Sequence, residues 1–232
     1  MNSEAYAVFA KDKLHVTFKN LDLLITAFTH RSYLNEHKRN VKEHNERLEF
    51  LGDAVLELVV TEYLYKNYPD PEGILTNWRS SLVRTESISA AAAKYGFEEY
   101  LRLSRGEKRG TDRARAQILA NSFEAVIGAL YLDQGYEAAA VFITESILST
   151  FAQILESGSW MDPKSYLQEL AQSQEAATPI YKVMNEDGPD HDKTFIVGVY
   201  VAGVLRGQGD GPNKQSAQQK AAKAALVYYQ NR

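Results

Sequence analysis

The sequence predicts an all-α domain followed by a small α+β domain whose elements run α-β-β-β-α. Three observations predict it. From Leu21 to Glu156 apolar residues recur at helical spacing, broken only by polar stretches and by Tyr68-Pro69-Asp70-Pro71. Glu156-Ser157-Gly158-Ser159 then interrupts the pattern. Beyond Asp162-Pro163, three alternating runs lie between two amphipathic ones, which reads as three strands between two helices. The expected boundaries are 1–156 for the helical domain, 157–161 for a linker and 162–232 for the second domain. Domains of such different class should fold separately.

The chain has 232 residues, with 44% hydrophobic and 24% charged, an ordinary globular composition. It has no cysteine, which excludes disulfides, thiolate metal sites and cysteine nucleophiles together. No apolar run is expected to reach the eighteen or so residues of a membrane span, and the N-terminus lacks a basic-then-apolar signal pattern. The expected compartment is the cytoplasm, with no membrane partner. The formal net charge of −4 argues against an indiscriminately basic nucleic-acid binder but says little about local patches.

In order along the chain, residues 1–35 read as helical, with Leu21, Leu23, Leu24, Ile25, Ala27 and Phe28 apolar. In Thr29-His30-Arg31-Ser32-Tyr33, His30 reads as a hydrogen-bonding residue rather than a ligand. Residues 36–45 are polar and of mixed charge, a loop. The next helix carries His44 to Glu57 and should run to Leu64 or Tyr65, ahead of the proline-rich breaker. Glu72-Gly73 opens a helix with Trp78, Leu82 and Val83, and Ser87 to Tyr95 forms another, closed by Gly96. Residues 102–115 are a basic, glycine-containing loop and a phosphate contact if not merely solvated. Leu119, Phe123, Val126, Ile127 and Leu130 mark a buried helix, with Asn121 and Glu124 on its other side beside Ala125 and Gly128. One more helix covers 136–156.

The stretch from His44 to Glu57 organises the rest. At about 100° per residue it gathers Glu46, Glu49, Asp53 and Glu57 in an arc of roughly 80°, while Leu48, Leu51, Val55, Leu58 and Val59 gather toward a core. Gly52 sits in mid-helix at a cost of about 1 kcal/mol relative to Ala, which predicts a closely packed neighbour. Hard oxygen ligands on a rigid helix are what Mg²⁺ prefers; a solvated acidic face is the alternative.

In the second domain, Lys164 to Ser173 reads as a helix with Tyr166, Leu167 and Leu170 inward. Tyr181–Met184, Thr194–Val201 and Val204–Gly209 read as strands, and Lys214 to Gln230 as the last helix. From Asp162 onward eight Lys and Arg balance eight Asp and Glu, yet after Asp210 there are four basic residues and no acid. The N-terminus of the last helix, with Lys214, is therefore expected to attract phosphate.

The run Asn45 to Leu56 resembles the signature of the ribonuclease III family nearly residue for residue, and Gln117 to Leu132 resembles that family's second motif. The α-β-β-β-α order resembles a double-stranded-RNA-binding domain. The resemblance implies an endoribonuclease that hydrolyses phosphodiesters in both strands of double-stranded RNA and processes precursors such as ribosomal RNA. It implies metal ligands at Glu49, Asp53, Asn121 and Glu124, with Asp53 and Glu124 catalytic. A further acidic site is carried over at Glu46 and Glu72. RNA contacts are carried over at Gln168, Gln172, His191, Lys214 and Gln215. It also implies a homodimer, with Phe50 and Leu51 at the contact because Phe50 falls off the core stripe.

Hydrolysis needs a nucleophilic water, charge neutralisation at phosphorus and help for the leaving 3′-oxygen; two divalent ions about 4 Å apart, Mg²⁺ or substituting Mn²⁺, would serve all three. The sequence departs from the family at Asn121, where an Asp is usual, and at Lys214-Gln215, where two lysines are usual. An amide oxygen can ligate Mg²⁺ but brings no charge. The alternative is therefore a catalytically weak or inactive RNA-binding protein.

Overall fold

The computed structural model describes every residue except Met1, Lys38, Asn40, Ser159, Met161, Asp190, His191, Asp192, Asn231 and Arg232. Its contacts divide the chain into units 1–160 and 161–232. The first contains α1 (Ser3–Lys13), α2 (Leu21–Ala27), α3 (Arg31–Glu36), α4 (Glu46–Asn67), α5 (Glu72–Leu82), α6 (Thr85–Lys94), α7 (Asp112–Gln134), α8 (Tyr136–Ser146) and α9 (Phe151–Ser157).

The centre of this unit is the pair α4 and α7. From Ile118 to Leu130 α7 is largely apolar, and Leu119, Ala120, Phe123, Val126, Ile127, Ala129 and Leu130 are all buried, as a helix enclosed by others requires. α4 meets it with Leu48, Val55, Leu56, Val59 and Val60. Gly52 and Gly128 let the backbones touch. A Cβ on Gly52 would lie 1.7 Å from the Glu124 carbonyl oxygen, and one on Gly128 would lie 2.2 Å from that of Leu48. The mid-helix glycine is thus explained by the neighbour it admits. Tyr6, Phe9, Phe28, Phe97 and Phe123 fill one end of the core with edge-to-face and tilted ring contacts. Asp133, buried near the end of α7, accepts from the Lys19 and Asn20 backbone N–H groups at 2.8 and 2.7 Å and so anchors the start of α2.

Four expectations need correction. Leu58 is 56% exposed, because the apolar stripe of α4 turns toward Leu56 and Val60 instead. α4 continues to Asn67, so the proline breaker stops it only at Tyr68. The 136–156 helix is interrupted by a 3-10 turn at Leu148–Thr150. That same stretch is long and apolar enough to span a membrane, contrary to the sequence reading. Most of its large apolar residues face the core: Phe142, Ile143, Ile147, Leu148 and Phe151 are buried among the other helices, while Val141 is exposed.

The second unit is a three-stranded antiparallel sheet in the order β1 (Ile180–Asp187), β2 (Thr194–Val201), β3 (Val204–Gly211), flanked by α10 (Pro163–Glu175) and α11 (Lys214–Gln230). Asp162 caps α10 through the Ser165 N–H at 2.9 Å, with Pro163 at the favoured first helical position. Leu167 and Ala171 of α10 pack on Val197, Val199 and Val201 of β2 and on the alanines of α11. α11 comes close to β3 because small residues meet there: a Cβ on Gly207 would lie 2.4 Å from the Ala221 carbonyl oxygen. A half-buried Arg206–Glu175 pair, at 3.0 Å with Tyr229 also donating to Glu175, ties β3 to the ends of both helices.

Candidate active site

Glu49 and Asp53 lie one turn apart on α4, on either side of Gly52, and Asn121 and Glu124 lie one turn apart on α7. Because Gly52 touches the Glu124 backbone, these four side chains are brought to one place. Their electrostatics record the crowding. The Glu124 carboxyl is pushed up to about 8, first by burial and then by the charges of Asp53 and Glu49. Glu49 is raised by burial, by Glu46 and by Asp53, while a hydrogen bond from Asn121 works in the opposite direction. Asn121 also accepts from Gln117 Nε2 at 2.7 Å.

The donors are right in kind for a hard divalent cation: three carboxylates and one amide, on two packed helices. Their mutual repulsion is the cost that a bound cation would relieve. Among the described residues, no three His, Asp or Glu side chains stand close enough as they are to enclose an ion.

Of the other acids, Glu57 and Glu72 stand apart from this cluster, whereas Glu46 is near enough to Glu49 to raise it. Glu57 is ion-paired with Arg79 Nε at 3.0 Å, so the fourth acid of the predicted arc is neutralised. Glu46 faces Arg31 at 3.5 Å and His44. Glu72 starts α5, beyond the far end of α4, a 22-residue helix about 33 Å long. Within one chain, Glu46 and Glu72 are therefore separated by most of that length.

His30 has the structural role expected of it. Its Nδ1 accepts from the Ser32 N–H and caps α3, and burial lowers its pKa. The basic segment is shorter and better anchored than predicted, since Arg113 and Arg115 belong to α7. Arg102 exchanges backbone hydrogen bonds with Phe28 and His30, at 2.8 and 3.1 Å, and lies 4.5 Å over the Tyr33 ring. Ser104 N–H donates to Ser32 Oγ at 3.1 Å. Arg105, Lys108 and Arg109 are left exposed on this anchored base.

In the second unit, Gln168 and Gln172 share one face of α10 with Ser165, Glu169 and Ser173. Lys214 is the first residue of α11, and Gln215 follows it, exposed. Asn213 accepts from the Ser216 N–H at 2.8 Å. The Lys214 ammonium is 3.6 Å from Glu186 and 5.5 Å from the Phe195 ring centre, so an acid on β1 already balances part of its charge. His191 lies outside the described residues.

Residues 20–151 match the family described as Ribonuclease-III-like, and residues 163–229 match the double-stranded RNA binding motif. The Ribonuclease 3 of Latilactobacillus sakei is 46% identical over 215 residues, which cover 91% of this chain and 92% of that protein. The chain belongs to the ribonuclease III family. It is accordingly a ribonuclease III-type endoribonuclease carrying a double-stranded-RNA-binding domain. The Ribonuclease 3 of Enterococcus faecalis is 44% identical over 220 residues, 93% of this chain and 94% of its own. In structure, the nuclease domain of a Campylobacter jejuni ribonuclease III superposes with a TM-score of 0.56 at 36% identity, over 62% of this chain and 97% of that one. That domain is described for flexibility in a region involved in dimer formation.

Sequence reasoning passed over two ribonuclease-domain residues. Arg79 neutralises Glu57, a partnership between helices that no local pattern announces. Gln117 bonds Asn121, and that pair was legible, because residues four apart on a helix are neighbours.

Proposed function

We propose that this endoribonuclease cuts both strands of double-stranded RNA with Mg²⁺ as cofactor and Mn²⁺ as a substitute. The supporting observation is the convergence of Glu49, Asp53, Asn121 and Glu124, with enough carboxylate crowding to push Glu124 to about 8. When bound, the cation supplies positive charge to the phosphate and to the leaving 3′-oxygen. Glu49 and Asp53 would hold the cation from α4, and Glu124 from α7, which Gly52 brings against α4. The same acids repel RNA until their charge is offset, so the metal-free enzyme should not cut. Purified full-length protein incubated with a perfect RNA duplex should be inert in excess chelator and active when Mg²⁺ or Mn²⁺ is added. Cutting in chelator would overturn the assignment.

The working unit is a homodimer, so that two sites address two strands. Phe50 is 81% exposed and lines a groove of about 770 Å³, in which Leu23, Leu48, Leu51 and Leu132 are rimmed by Lys42, Glu43, His44, Glu46 and Arg47. A side chain so apolar and so exposed fits an interface better than water. Phe50→Asp should weaken association at least about a hundredfold, as loss of a buried aromatic anchor does. Sedimentation should then find monomers at micromolar concentration where the parent is dimeric; an unchanged dimer would remove Phe50 from the contact.

The RNA-binding domain holds the duplex through Gln168, Gln172, His191, Lys214 and Gln215, and exposed Arg105, Lys108 and Arg109 add phosphate contacts from the nuclease domain. Removing the chain after Trp160 leaves the helical core intact. The remaining domain should cut at about 50 mM salt and lose on the order of 10³-fold in affinity by about 200 mM. Equal activity of both forms at the higher salt would contradict this. Natural targets are structured precursors such as ribosomal RNA, met in the cytoplasm, which agrees with the absence of cysteine.

A further inference from the structure

Gln117 stands on α7 one helical turn before Asn121, with its side chain exposed. Its Nε2 donates to Asn121 Oδ1 at 2.7 Å. With Oδ1 held there, the NH₂ end of the Asn121 amide is turned toward the Glu49 carboxylate, on which it acts to lower the pKa. Together these favour one orientation. Reversing Asn121 would put its oxygen against the Glu49 carboxylate, acceptor to acceptor, and its NH₂ against that of Gln117, donor to donor.

In the orientation observed, Asn121 turns its hydrogens toward the acids and its oxygen outward. Only the oxygen can bind a cation. Gln117, however, is itself an amide. Presenting Oε1 instead of Nε2, it would accept from the Asn121 NH₂ and leave Oδ1 facing Glu49, Asp53 and Glu124. An aspartate at 121 would have two equivalent oxygens and no orientation to set. We propose that Gln117 is a positioning residue for the metal site, deciding which end of the Asn121 amide faces the acidic cluster. This rests on the reading that Asn121 is a metal ligand, and it makes Gln117 the outer partner that orients that ligand.

The test uses the full-length protein and Mn²⁺ alone, with free Mn²⁺ followed by electron paramagnetic resonance. Gln117→Glu can only accept from Asn121, and Gln117→Lys can only donate to it. Both are good helix formers at an exposed position, so the fold is retained, which circular dichroism checks. Gln117→Glu should bind Mn²⁺ more tightly than the parent, and Gln117→Lys less tightly. Part of that spread is bare charge. The same pair made together with Asn121→Asp measures that part, because no orientation remains to be set. The spread in Kd with Asn121 present should exceed the spread with Asn121→Asp by about fivefold, the worth of one net hydrogen bond. Equal spreads would overturn the role of Gln117. Asn121→Ala tests the reading beneath it: weaker Mn²⁺ binding is expected, and binding as tight as the parent's would remove Asn121 from the ligand set. Weaker binding by Asn121→Ala with equal spreads would sink the Gln117 inference alone.

Discussion

Glu124→Gln abolishes cleavage, by at least about 10³-fold, and leaves duplex binding within a few-fold of the parent. Glu124 is the carboxylate most deeply set in the cluster, and burial together with Asp53 and Glu49 raises it to about 8. A glutamine preserves the shape but removes the charge that makes the site attractive to a cation. Gln168, Gln172, Lys214 and Gln215 belong to a unit with its own core, and Arg105, Lys108 and Arg109 are exposed on a loop outside α4 and α7, so the contacts proposed for RNA are untouched by the change. A second readout moves in the opposite direction. Without metal, folding at neutral pH forces Glu124 to take up a proton that it would not hold in the unfolded chain, a cost the glutamine avoids, so the metal-free variant should melt at a higher temperature. Cleavage and gel-shift assays with a thermal melt check all three points. Cutting at the parental rate would remove Glu124 from the chemistry, and a lowered melting temperature would show that its charge is compensated in a way the cluster does not suggest.

Gly52→Ala destabilises the nuclease domain by at least about 3 kcal/mol, the upper range for overpacking, because the new methyl meets backbone rather than a movable side chain. It would lie 1.7 Å from the Glu124 carbonyl oxygen and 2.9 Å from the Gly128 nitrogen. Restoring an ordinary contact of about 3.5 Å requires α4 and α7 to part by well over an ångström. The separation falls between Glu49 and Asp53 on one side and Asn121 and Glu124 on the other. Any protein that still folds should therefore lose at least about a hundredfold in rate, as misplacement by an ångström does. Gly73→Ala is the control, since nothing lies within 4 Å of the Cβ it would add to α5. That change should stabilise by about 0.5–1 kcal/mol, the ordinary gain from removing a helical glycine. Thermal unfolding of the two variants should diverge accordingly, and a Gly52→Ala protein as stable as the parent would mean the helices do not meet at this point.

By itself the sequence determined the two-domain plan, because periodicity is a local property. β2 and α11 have the expected limits, and Leu119, Phe123, Val126, Ile127 and Leu130 are buried as the 3.6-residue spacing demands. It also determined which residues carry charge at the site, and that Gly52 needs a close neighbour. Only the tertiary structure decided what that neighbour is and which acids remain together. Glu46, Glu49, Asp53 and Glu57 are equivalent in an isolated helix. They differ once Arg79 of α5 reaches Glu57, Arg31 reaches Glu46, and α7 presses Asn121 and Glu124 against the other two. Glu72 is separated from Glu46 by the length of α4, and the apolar run 136–156 breaks to follow the core. In each case the deciding contact joins residues far apart in the chain. Burial and Coulomb energy depend on distance in space, which helical or strand periodicity does not encode.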